Sequence, residues 1–179
     1  MRKQVFDNMK FEKVSLEQFT EDYLKCIYGN SNTDIDEEQA KAILNIWENI
    51  KLPTRATIDS AGYDFFIPYN QYFPQSQDIL LPTGIRWIAD DPSFVLLCVP
   101  RSGLGFKYGL RLKNSIGVID SAYWKSDNEG HIMAKIQVDN SFNLDQGKGF
   151  MQGIILKYHL VDDDDAQGVR NGGFGSTGM

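Results

Sequence analysis

Leu16, Phe19, Tyr23, Cys26 and Ile27 recur at three- and four-residue intervals behind Ser15, a spacing that lays apolar side chains on one helical face. Ser15 and Gln18 stand at capping-box distance, so a first helix is expected from here to about Gly29. Asp34 and Glu37 repeat that distance ahead of Ala40, Ile43, Leu44 and Trp47, and Pro53 ends the pattern. A second helix follows, and residues 1–52 read as a helical N-terminal extension.

Beyond Pro53 the texture changes. "GYDFFIPYN", "ILLPTGIRWIA", "SFVLLCVP", "HIMAKIQV" and "GIILKYHLV" are short, rich in β-branched and aromatic residues, and separated by Gly, Pro and Asn. Such segments without helical patterns between them predict a mainly β domain over 53–165, a sandwich or barrel. Residues 166–179 hold too little apolar content to fold alone and read as a tail.

Charge and cysteine usage narrow the function classes. Twenty-four acidic against 18 basic side chains give a net charge of -6, which argues against sequence-independent nucleic-acid binding through a broad basic face. A phosphate-bearing small ligand needs only a few cations and stays open. Cys26 and Cys98 are far apart in apolar surroundings, so neither a disulfide framework nor a zinc site is indicated, and a cytoplasmic setting fits. No stretch has the apolar length of a signal peptide or membrane span. His131 and His159 stand apart and read as ordinary surface or core histidines.

Five stretches carry more than strand or turn chemistry. Asp64 in "PTRATIDSAGYDFF" stands at the start of a strand, where a carboxylate either satisfies turn amides or serves a site. In "PRSGLGFKYGL", Arg101 can fork onto phosphate oxygens, Ser102 can donate a hydroxyl, and Gly103 and Gly105 allow amides close approach to an anion. In "KNSIGVIDSAYW", Gly117 suits a tight hairpin, Asp120 could take a proton from water, and Tyr123 could offer a flat face to a sugar or base. Gln152 in "GFMQGIILKYHL" is a lone amide in an apolar strand and needs partners. The tail "VRNGGFGSTGM" joins backbone and hydroxyl donors to Arg170 and to Phe174, which can stack on a planar base.

In this order the five stretches resemble the five motifs of the homotrimeric deoxyuridine triphosphatases (dUTPases), from about Pro53 to the last residue. The most specific are "PRSGLGFKYGL", "NSIGVIDSAY" and "RNGGFGSTG". The resemblance implies a distorted jelly-roll of strands, a homotrimer with active sites at subunit interfaces, and hydrolysis of dUTP to dUMP and pyrophosphate. By that likeness Asp120 activates the attacking water, and Tyr123 packs under the deoxyribose. The hairpin carrying Asn114, Gly117 and Ile119 reads uracil. Arg101, Ser102, Gly103 and Gln152 hold phosphates, and Asp64 hydrogen-bonds water on a triphosphate-chelated Mg²⁺. The tail becomes a flexible arm reaching a neighbouring subunit, with Phe174 on uracil, Arg170 on phosphate, and Gly175, Ser176 and Thr177 around the terminal phosphate.

Departures from the family pattern are local. Ala122 replaces a usual acidic residue, "WKSDNEGHI" lengthens a short turn into an insertion over 124–131, and Lys148 and Gly149 replace an Asp-Arg pair. These features, with the helical N-terminus, resemble phage-type versions. A dCTP deaminase, which shares the family fold, would need a catalytic glutamate and lacks such an arm. A regulatory protein partner binding through the extension or insertion is the expectation from a different class.

Overall fold

The structure, a computed structural model, describes residues 8–29 and 34–168. Helix α1 (Leu16–Tyr28) begins where expected, with Ser15 Oγ accepting from the Gln18 amide at 3.1 Å, and Gly29 closes it in the left-handed region. Helix α2 (Glu37–Glu48) is capped two residues later than the sequence pattern indicated. Asp36 accepts from the Gln39 amide at 2.8 Å, while the Gln39 side chain accepts from the Asp36 amide at 3.0 Å. This start places Glu37 and Glu38 together in the first turn, where the helix dipole favours them, and leaves Ile35 to pack against the core.

Strand β1 (Met9–Lys13) lies within the segment read as helical. It pairs antiparallel with β6 (Ile85–Ala89), and its Phe11 packs on Tyr63 and Phe65 at ring separations of 5.3 and 5.5 Å. "MKFEK" has no β-branched residue, so its pairing with β6 is what makes it a strand.

The remaining strands form the predicted β domain. They are β2 (Thr54–Arg55), β3 (Tyr63–Phe66), β4 (Gln71–Phe73), β5 (Ile79–Pro82), β7 (Phe94–Pro100), β8 (Arg111–Leu112), β9 (Gly117–Asp120), β10 (Met133–Gln137), β11 (Phe142–Leu144) and β12 (Gly149–Lys157). The principal sheet runs β2-β3-β12-β7-β9. A second runs β5-β10-β8, and β4-β11 and β1-β6 are two-stranded. Every pairing is antiparallel. A short helix, α3 (Ser102–Tyr108), interrupts the strands where only a glycine-bearing turn was expected.

The core is continuous between the N-terminal segment and the sheets. Phe19 of α1 is fully buried and belongs to one core cluster with Trp87, Phe65, Phe150, Val14 and Ile50. Burying Phe19 alone contributes roughly 1.5–3 kcal/mol to holding α1 on the barrel. Gly84 is where the two parts meet: with φ at 71°, a Cβ there would stand 2.2 Å from Ile50 Cδ1. Only glycine allows the strand to turn under the helices.

Candidate functional site

The first group of predicted residues is assembled by three neighbouring strands. Gln152 on β12 lies opposite Asp64 of β3 on one side and Val99 of β7 on the other. Immediately after β7, the Arg101 amide donates to Phe150 O at 3.1 Å, which fixes the point where the chain leaves the sheet for α3. Arg101 Nε then reaches Asp64 Oδ1 at 3.3 Å, with the Asp64 side chain 16% and the Arg101 side chain 43% exposed. A positive fork is thus oriented by a mostly covered anion while its outer face stays open to solvent.

Arg101, Ser102 and Gly103 border a cleft of about 450 Å³ whose other walls include Asn143, Asp145, Lys148 and Gly149. Ser102 and Gly103 open α3, where helical amides have no intrahelical acceptor. Gly149 explains one of the sequence departures. A Cβ at this position would lie 2.5 Å from Arg101 Nη1, so the bare backbone is the seat on which the guanidinium rests. Lys148 adds a second exposed cation to the cleft. The sequence marked it only as a departure, because its proximity to Arg101 depends on the β12 register.

The second group lies on the turn between β8 and β9; these strands pair with β10 and β7 and not with each other, so the expected hairpin is a tight link between two sheets. Its tip is tied by the Ser115 amide to Leu112 O at 3.0 Å and the Ile116 amide to Asn114 O at 2.7 Å, with Ser115 at φ 62°. Gly117 sits opposite Cys98 of β7, and a Cβ on it would come within 3.1 Å of Cys98 Cβ. Asn114, Gly117 and Ile119 border a mainly apolar cavity of about 680 Å³, a size typical of small-molecule pockets. Val118 and Asp120 point from β9 to the opposite, exposed face, as strand alternation requires.

Tyr123 occupies a different environment from the open face expected of it. It is 3% exposed and belongs to the core, its hydroxyl donates to His131 O at 3.1 Å, and Asn128 Nδ2 donates to that hydroxyl at 3.0 Å. Asn128 and His131 of the inserted loop thus hold its hydroxyl, and the ring is part of the core rather than an open face. Arg170, Phe174, Gly175, Ser176 and Thr177 lie outside the described residues.

The two groups do not meet within one chain. Asp120 pairs with Val95, six residues before Arg101 on the same strand path, which separates the carboxylate from the fork by roughly 20 Å along the sheet. The α- and γ-phosphorus atoms of a triphosphate are only two bridging oxygens apart. That span is shorter than the separation of Asp120 from Arg101 along the sheet.

His131, read as ordinary, is a fully buried structural residue. Its Nε2 accepts the Gly84 amide at 2.7 Å, so the ring proton is on Nδ1, which donates to Asp22 Oδ2 at 2.7 Å. Burial pushes the Asp22 carboxyl up, but hydrogen bonds from His131 and Gln18 outweigh it and hold the group below its usual value. His159 is exposed.

Fold and recesses together define an antiparallel β protein with a cleft bordered by Arg101 and Lys148 and a separate, mainly apolar cavity. The dUTPase family model matches residues 48–178, and the chain belongs to that family. The deoxyuridine 5′-triphosphate nucleotidohydrolase of Lactococcus lactis is 37% identical over 72% of this chain and 89% of its own length. That of Escherichia coli K12 is 34% identical over 74% and 91%. Among solved structures, the dUTPase of Streptococcus mutans superposes with a TM-score of 0.60 at 29% identity, covering 86% of this chain and 98% of its own. A dUTPase from Staphylococcus aureus phage phi11, at 18% identity and a TM-score of 0.55, shares the fold.

Proposed function

We propose that this protein hydrolyses dUTP to dUMP and pyrophosphate, with Asp120 orienting and deprotonating the water that attacks the α-phosphorus. The observation that carries the reading is the division of the site. A seated Arg101–Asp64 pair with Gln152, Ser102 and Gly103 lies at one end of the principal sheet, and the Asn114–Asp120 segment lies along its edge strand. In a homotrimer this segment of one copy faces the cleft of another, and the arm carrying Arg170, Phe174, Gly175, Ser176 and Thr177 closes the site.

The roles follow from chemistry. Arg101, the Ser102 hydroxyl, the Gly103 amide and Gln152 donate to phosphate oxygens and stabilise the charge that builds on the departing pyrophosphate. The backbone at Asn114 and Gly117 reads the uracil edge, Ile119 packs on its face, and Tyr123, buried in the core, backs the sugar site from beneath. Asp120, exposed on β9, reaches a water rather than the ligand's base.

Among the described residues no group of three or more His, Cys, Asp or Glu is gathered to cage a metal. Asp64, paired with the phosphate-binding fork, suits Mg²⁺ that is chelated by the triphosphate and reached through water. Bound in that way, Mg²⁺ supplies charge neutralisation and alignment of the phosphates.

Asp120→Asn tests the assignment. Turnover should fall by about 10³-fold or more while dUTP binding measured by calorimetry stays within a few-fold of native. Turnover near the native level would remove Asp120 from the reaction.

A further inference from the structure

The segments that the family pattern does not contain, the N-terminal helix and the inserted loop 124–131, are bound to each other. Ser15, the cap of α1, donates from its amide to Glu129 Oε2 at 2.9 Å and from its hydroxyl to Glu129 Oε1 at 2.6 Å. Arg86 Nη1 approaches the same carboxylate at 3.5 Å. One and two turns further along α1, Gln18 Nε2 and His131 Nδ1 both hold Asp22 Oδ2, at 2.8 and 2.7 Å. The loop itself is stiff: Asn128 Oδ1 accepts from Ser126 Oγ and the Gly130 amide at 2.8 and 3.2 Å.

This clamp has a direction. Phe19 and Leu24 bury one face of α1 in the core, and the clamp fixes rotation and position along the axis. The turn carrying Asp22, Lys25 and Cys26 is thereby presented to the cavity bordered by Asn114, Gly117 and Ile119, with Asn128 of the loop beside it. Lys25 is turned back onto Glu21 at 2.6 Å. Burial pushes the Cys26 thiol up to about 12, so it remains an uncharged, polarisable side chain at neutral pH. Such a surface suits the face of a planar base.

We propose that α1 and the inserted loop act as one positioning unit for nucleotide binding, in which Glu129 and His131 clamp the helix so that Cys26 forms the wall of the base cavity opposite the β8–β9 turn. The inference rests on the dUTP reading and adds to it a wall from outside the family motifs. Its consequence is kinetic: the unit sets affinity for the nucleotide, whereas Asp120 on the other face of β9 sets the chemical step.

The test compares KM and kcat for dUTP in the native protein, Cys26→Phe, Cys26→Ala and the double variant Ser15→Ala/Glu129→Gln, each with its melting curve. Narrowing the cavity with Cys26→Phe should raise KM by about tenfold or more with kcat within about twofold. Cys26→Ala, which removes the polarisable sulfur but leaves the space open, should raise KM by only about two- to threefold. The clamp variant should raise KM about threefold with kcat retained. A native KM in a cooperatively folded Cys26→Phe overturns the proposal, and if that variant does not fold, a native KM in the clamp variant does the same. Native protein that releases no pyrophosphate from dUTP overturns the functional reading itself, an outcome visible before any variant is compared.

Discussion

Replacing His131 by alanine removes three things at once. The Gly84 amide loses its acceptor at 2.7 Å, the Asp22 carboxylate loses a donor at 2.7 Å, and a side chain with no solvent exposure leaves a void near Phe19, whose ring centroid is 6.2 Å away. A buried amide without a partner costs about 1–3 kcal/mol, and a hydrogen bond to a charged group contributes about 1.5–3 kcal/mol. Asp22 keeps its bond from Gln18 and is 12% exposed, so the losses overlap and water relieves part of them. A total near 4 kcal/mol follows, including the void. For a chain of this size that corresponds to a fall in Tm of roughly 8–16 °C. Calorimetry or circular dichroism at one fixed protein concentration, pH 7, reads it directly. A Tm within about 2 °C of native, where the expected cost predicts several times more, would refute the idea that this triad anchors α1.

Three further outcomes are expected. Asp120→Asn and Arg101→Ala should each abolish activity alone, yet mixed in equal amounts through unfolding and reassembly they should recover about a quarter of native activity, because one site in four then draws both intact residues from different copies; no recovery on reassembly would place both groups in one chain's site. Gly149→Ala should displace the Arg101 guanidinium from its seat and lower kcat/KM by about tenfold with little change in Tm, and an unchanged kcat/KM would detach Arg101 from phosphate binding. Burial raises the Glu129 carboxyl, but the Ser15 hydrogen bonds outweigh it and hold the group below its ordinary value, as Asp22 is held by His131 and Gln18. Depressed carboxyls contribute stability that is complete above their unfolded values and lost as pH falls through the folded ones. Stability from both should therefore decline below about pH 4.5, and Glu129→Gln should flatten its share of that slope.

The parts of the molecule legible in the sequence are those whose signals are local. Ser15 and Gln18 announce α1 because capping is a three-residue matter, and the apolar runs of β7 and β12 mark a sheet because apolar side chains follow one another in them. Asp64, Arg101 and Gln152 could be named from motif order alone, and register then brings them together. What could not be read depends on partners distant in the chain. Strand β1 exists through β6, more than 70 residues away by its Arg86–Glu12 bond. The clamp on α1 spans 114 residues between Ser15 and Glu129, and nothing in "WKSDNEGHI" announces a helix as its target. The shift of the α2 cap from Asp34 to Asp36 shows the limit even of local signals, because two overlapping boxes compete and the burial of Ile35 decides between them.

The central claim is the reaction, and the most direct measurement is pyrophosphate release with Mg²⁺ from dUTP, UTP, dCTP and dTTP in parallel. Release from dUTP alone, with the other three at least about 10²-fold slower in kcat/KM, is the predicted result. Equal release from UTP would contradict the support of the sugar by Tyr123, equal release from dCTP or dTTP the reading of the base by the Asn114–Ile119 segment, and no release from dUTP the account as a whole.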